Sequence, residues 1–207
     1  MASTSSVARL TEAHRLGQAR ISAVTAQKIL QSWSLIDLAD LAASSVQWLK
    51  LAALVVLQQR SVSTGLAVDY MRTVRQLELG PSADTFAPVV ASPLDPQLLT
   101  ATLVDAGPGS LQKSLAAGRD VLEAVDAAKA RAAGMASFHA VNGGSETVIA
   151  TVESDPRAVG WKRVTSGATC AFCTMLAGRG AVYKSRRTAN FRPHINCDCQ
   201  PQPLYAA

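Results

Sequence analysis

Aromatic residues are scarce in this chain, 5% of 207, and cysteine is absent until position 170. A core poor in large rings has to be filled by aliphatic side chains; Ala and Leu supply them, a mixture that favours helices. No apolar run approaches the roughly 20 residues needed to cross a bilayer. The longest, LAALVVL from Leu51 to Leu57, stands between Lys50 and Arg60, so no membrane span is expected. The first twenty residues are polar and mixed in charge, without the apolar stretch of a secretory leader, so the chain is expected to be made in a cytosol. No Gly-rich phosphate loop and no nucleophile elbow is present. Acidic residues all but vanish from Pro156 onward, where Asp198 alone faces eight Lys and Arg, a balance of +7; the residues before Pro156 carry twelve Lys and Arg against fourteen Asp and Glu, a balance of −2. The basicity belongs to the C-terminal end, which reads as a unit with partners of its own.

What is present before Pro156 is helical periodicity. From about Ser5 to Trp33, Val7, Leu10, Ile21, Val24, Ile29 and Leu30 recur at threes and fours. Ser34 with Asp37 reads as the cap of a second, longer run toward Leu77, with a kink expected near Ser61 to Gly65. Four prolines in the seventeen residues GPSADTFAPVVASPLDP exclude a continuous helix there and predict a crossing loop or extended arm. Asp95 before Pro96 starts another helix, ended by Gly107, Pro108 and Gly109. A long helix is expected from Ser110 to Val141, stopped by Asn142, Gly143 and Gly144, and a short one, SETVIATVES, leads to Asp155. The fold class expected is therefore mainly α: a long-helix body over 1–155 joined to a small, basic α+β module over 156–207, each with its own core. His14 and His139 stand alone on their helices, without a neighbouring donor, and read as surface or core residues. Trp33 and Trp48 fit the apolar stripes.

The cysteines all fall in TCAFCTMLAGRGAVYKSRRTANFRPHINCDCQP. Cys170 and Cys173 form a C-x2-C turn; twenty residues later come His194, Cys197 and Cys199, five donors where tetrahedral zinc takes four. In a reducing cytosol the pattern favours a structural zinc over disulfides, with Cys197 or Cys199 as the spare donor. About fifty residues with little apolar content cannot bury enough surface to fold alone, whereas a structural zinc contributes on the order of 10 kcal/mol. A catalytic deaminase zinc is excluded by motif: His139 is followed by Ala140 and Val141 in place of the needed glutamate, and Ala168 and Thr169 replace the proline before C-x2-C.

These residues carry a resemblance. SDPRAVGWKRVTSGATCAFCTMLAGRGAVYKS followed by PHINCDCQP resembles the C-terminal motif of the Mu F-like minor head proteins of tailed bacteriophages, in the form found in phages of actinobacteria. The matching positions are Trp161, Cys170, Cys173, Gly178, Tyr183, His194, Cys197 and Cys199, within about residues 142 to 205. The family often has a basic residue between its last two cysteines; Asp198 stands there instead, so phosphate contact at that spot is not implied. The resemblance implies a low-copy virion protein at the portal vertex of the phage head, reached from the host cytoplasm during assembly. Such proteins contact portal or major capsid protein and in some cases influence DNA packaging or ejection; self-association into a homo-oligomer is compatible with the helical body.

Lys184, Arg186, Arg187 and Arg192 lie on the excursion between the two halves of the proposed zinc site. Closing the site gathers them on one loop, and double-stranded DNA, bound without sequence preference, is the partner expected. Two other classes compete. A zinc-stabilised nuclease or toxin effector needs a free general-base histidine, and ligation consumes His194, the only one in the module. A zinc-finger regulator needs a recognition helix that the tail does not offer. No enzymatic activity is expected.

Overall fold

The computed structural model describes residues 2–80, 86–166, 170–181, 183, 191, 194–195 and 197–206. The apolar periodicity of the N-terminal half becomes two long helices, α1 (Ala2–Ser32) and α2 (Leu41–Leu79), linked through a 3-10 turn at Trp33–Leu35. The cap of α2 is Asp40, whose carboxylate accepts the Ala43 N–H at 3.1 Å; Ser34 lies in the 3-10 turn, so the start expected there falls six residues early. α2 continues helical through Ser61–Gly65, where a kink was expected. Of the proline-rich stretch, residues 86–95 run as an arm, held where Val89 and Ala91 donate their N–H groups to Thr151 and Thr147, each at 3.0 Å. α3 (Pro96–Ala106) starts as the sequence indicates, with Asp95 accepting the Gln97 N–H at 2.8 Å.

The next two helices depart from expectation. α4 (Pro108–Ala116) ends before Gly118, whose φ of +73° is left-handed, and Asp120 caps α5 (Val121–Ser154). The single helix expected from Ser110 to Val141 is thus two. The stop expected at Asn142, Gly143 and Gly144 lies instead inside α5. Packing overrides the helix-breaking tendency of glycine here. A Cβ on Gly144 would come within 2.3 Å of Gln18 Nε2 and 2.7 Å of Ser63 Oγ, and one on Gly143 within 2.7 Å of Arg60 Cγ, so the missing side chains let α5 close on α1 and α2.

α1, α2 and α5 pack pairwise into a three-helix bundle. One apolar cluster occupies one part of it, with Ile29, Trp33, Trp48, Val56, Leu99, Leu103 and Leu111 among buried alanines of α5. Polar side chains cross the middle: Ser63 donates to Gln18 Oε1 at 2.7 Å and accepts the Gly144 N–H at 3.0 Å, while Arg60 is ion-paired with Glu146. The second cluster joins Val7, Tyr70, Met71, Val74, Val148 and Val152 of the bundle to Trp161, Cys173, Tyr183, Phe191 and Cys199 of the tail. The separate tail core expected from sequence is therefore replaced by one apolar interior common to both parts.

At the joint, Asp155 is buried and accepts from Arg75 Nε at 2.7 Å while capping the Arg157 N–H at 3.0 Å. The tail then forms β1 (Ala158–Val164), α6 (Ala171–Gly178) and β2 (Gln200–Tyr205), with β1 and β2 antiparallel and Arg163 opposite Pro201. By length and composition α2 is also apolar enough to match a membrane-crossing helix, with a mean hydropathy of 1.4 over eighteen residues. In the bundle it buries Trp48, Val56, Arg60, Tyr70 and Arg75 and leaves Val46, Leu54 and Val62 exposed.

Candidate metal centre

Strand pairing builds the site. Because Val164 lies opposite Gln200, the chain between them is one closed excursion whose two ends bring Cys199 beside the residues that follow β1. Cys170 caps α6, its sulfur accepting the Cys173 N–H at 3.4 Å, so the C-x2-C turn is the first turn of that helix. His194 and Cys197 form a second turn, closed by Cys197 N–H donating to the His194 carbonyl at 3.1 Å.

The five donors predicted from sequence meet. Cys170 Sγ and Cys173 Sγ lie 3.5 and 3.9 Å from His194 Nδ1. Cys173 Sγ is 3.3 Å from Cys197 Sγ and 3.7 Å from Cys199 Sγ, and Cys197 and Cys199 are 3.3 Å apart. Zinc–sulfur bonds of about 2.3 Å in a tetrahedron put sulfurs about 3.8 Å apart, a spacing that the Cys173, Cys197 and Cys199 sulfurs approach. Two trios of potential ligands, Cys170–Cys173–His194 and Cys173–Cys197–Cys199, share Cys173, and none of the four cysteines is in a disulfide. Soft sulfur with one imidazole is the donor chemistry of zinc.

Electrostatics divides the thiols. The Cys173 N–H, followed by His194, holds the exposed Cys170 thiol below its ordinary value. Burial, then contact with Cys197, pushes Cys173 up to about 11; burial pushes Cys199 up as well, against the pull of Arg163. A metal held here would have to displace those protons, so its affinity would rise with pH.

Two arginines surround the centre, and sequence reasoning assigned neither to it. Arg163, counted there only among the basic residues of the tail, is 5% exposed; its Nη1 donates to Cys199 Sγ at 2.8 Å and its guanidinium lies 4.2 Å from the Phe191 ring centroid. Its sequence signal was an i, i+2 position after Trp161 in a strand, which means nothing until β2 is paired. Arg15 of α1, held by Glu12 at 2.7 Å, ion-pairs with Asp198 between the last two cysteines. Asp198, which departs from the Mu F-like pattern that the tail resembles, is thus tied to α1 of the bundle. Trp161 and Tyr183 stack at 4.4 Å beneath the cluster. Lys184, Arg186, Arg187 and Arg192 lie outside the described residues. His14, stacked on Tyr70, and His139, 2.8 Å from Thr102 Oγ1, are buried away from the site.

A mainly helical chain with a small two-stranded sheet and a cluster of metal-competent donors near its C-terminus is the class that fold and site define. The whole chain, residues 1–207, matches the model of the VG15 protein family and belongs to that family, which points to a phage-encoded protein of the virion or the infected cell. No curated protein and no solved structure matches it.

Proposed function

We propose that the protein is a structural minor head protein of a tailed phage, a low-copy component near the portal inside the head that aids assembly and DNA packaging or ejection. The body, 1–155, docks on portal or major capsid protein; the tail, 156–207, is held by a structural zinc and touches DNA through Lys184, Arg186, Arg187 and Arg192. The observation that carries this reading is the convergence of Cys170, Cys173, His194, Cys197 and Cys199 in a chain of a phage protein family. The resemblance to Mu F-like proteins gains support from Trp161, Tyr183, Cys173 and Cys199, motif positions that share one buried cluster. The role is non-catalytic: His194 sits among the cysteines, burial lowers His139 with help from Arg60, and burial lowers His14 to about 4.

The test is composition of the particle. Mass spectrometry of purified heads should find the protein at a few copies beside portal and capsid protein; heads complete without it would overturn the proposal. DNA contact has its own measurement. Anisotropy of a labelled duplex across a salt series should give log affinity falling against log salt with a slope of roughly −3 to −4 if about four phosphates are neutralised. A variant with Lys184, Arg186, Arg187 and Arg192 changed to Ala should bind more weakly with a shallower slope, and equal slopes would remove DNA as the partner of this loop.

A further inference from the structure

A cleft of about 660 Å³ lies among α3, α4 and α5. Three cations line it, Lys113, Arg119 and Arg131, against one carboxylate, Asp105, in a body whose overall balance is negative. Asp105 is taken by Lys113 at 2.6 Å, and Arg131 donates to Ser110 Oγ at 2.6 Å. Arg119 is exposed, and among the described residues no acceptor meets its guanidinium. Met135 and Ile195 give the cleft an apolar side, with Ile195 44% exposed. Cations beside an apolar wall suit a protein segment that carries carboxylates and aliphatic side chains together; a nucleic-acid duplex offers phosphates without the aliphatic groups.

The complementary surface is on the same chain. The link from α1 to α2 exposes Leu35 and Leu38 beside Asp37 and Asp40. No Lys, Arg or His occurs between Lys28 and Lys50, and among the described residues neither aspartate pairs with a cation. Hydrogen bonds pre-form the turn: Asp37 N–H donates to Ser44 Oγ at 3.0 Å and Ala39 N–H to Asp37 Oδ1 at 2.9 Å, while Ile36 packs against the first apolar cluster. A segment already held in one conformation loses little entropy on docking. The turn does not line the cleft of its own molecule, so in this fold the two surfaces meet only between copies.

We propose that the protein assembles head to tail, the 35–40 turn of one copy seated in the Lys113, Arg119 and Arg131 cleft of the next. The leucines cover Met135 and Ile195, and the aspartates face the cations. Because the two surfaces differ, the contact is heterologous and builds a ring or an open chain rather than a two-fold dimer. Neither the metal nor DNA enters it.

Sedimentation of the purified protein should show mass rising with concentration past the dimer, and association should weaken as salt is raised. Two variants change only exposed residues: a cleft variant, Lys113→Glu with Arg119→Glu, and a turn variant, Asp37→Lys with Asp40→Asn, in which Asn keeps the cap of α2. Each variant alone should associate about 100-fold more weakly than wild type, since like charges then face each other. An equimolar mixture should form a 1:1 heterodimer and nothing larger, because it holds a single intact pairing, the turn of the cleft variant in the cleft of the turn variant. That recovery also shows that both variants fold. A wild type that stays monomeric would overturn the proposal and leave the cleft to an acidic segment of another protein. A wild type that stops at a dimer, variants that assemble as wild type does, or a mixture no larger than its parts would each overturn it as well.

Discussion

The two apolar clusters of this molecule are built on different terms. The first draws on residues 29 to 136 and holds two tryptophans in edge contact at 5.3 Å, aliphatic side chains and alanines, with no sulfur. The second draws on residues 7 to 199, contains two of the four cysteines and needs both the bundle and the tail. A helical bundle end rich in Leu, Val and Ala closes by burial alone. A tail short of apolar residues closes by leaning on the bundle and, on the structural-zinc proposal, by metal ligation, which would make its stability depend on conditions to which the other end is indifferent.

The largest expected contrast comes from removing the ion. Chelation, or Cys173→Ser, should cost the tail on the order of 10 kcal/mol and leave the first cluster folded. Trp161 reports on the tail and Trp33 and Trp48 on the bundle, so the fluorescence change on chelation should vanish in Trp161→Phe. An unchanged Trp161 signal in zinc-free protein would break the comparison.

Next in size is the joint. Asp155→Ala removes the buried carboxylate to which Arg75 Nε donates and should cost about 3–5 kcal/mol in chemical denaturation, whereas replacing both residues by apolar ones should recover much of that.

The pH response should be almost as large. Burial holds His14 neutral, with its pKa lowered to about 4 from 6.5. The unfolded chain therefore binds the proton first as pH falls. The contribution of His14 is complete above about pH 6.5 and is lost progressively down to about pH 4, up to roughly 3 kcal/mol. Melting temperatures from pH 7.5 to 4.5 should show the loss, and His14→Phe, which preserves the stack on Tyr70, should flatten the curve.

The smallest change concerns the bundle crossing. Gly144→Ala should destabilise by about 1–3 kcal/mol through overpacking against Gln18 and Ser63, although alanine is the better helix former. A rise in the denaturation midpoint would mean that the helices separate there at no cost.

The features legible in the sequence are those set within a few residues. The helical stripes, the Asp95–Pro96 start and the gathering of Cys and His depend on local spacing, and the structure contains them. Asn142-Gly-Gly misled because adjacent glycines signal a stop locally and a close crossing only when α1 and α2 are known. Arg75 with Asp155, Arg15 with Asp198 and Arg163 with Cys199 are separated by 80, 183 and 36 residues, and no spacing rule links them. The common core escaped for the same reason: the apolar residues of the tail were too few for a core of their own, and their complement lay on Val7, Tyr70 and Val148.

The bond from Arg15 to Asp198 sets an order of events during synthesis. Chains fold from the N-terminal side as they emerge, and contacts between distant segments wait for both ends. The cluster of Trp33 and Trp48 can close once residue 136 has left the ribosome; the cysteines can meet only after residue 199, with Arg15 waiting on its partner throughout. A translation product stopped before Cys197 would thus carry a finished bundle end and lack Cys197 and Cys199, two of the five candidate donors.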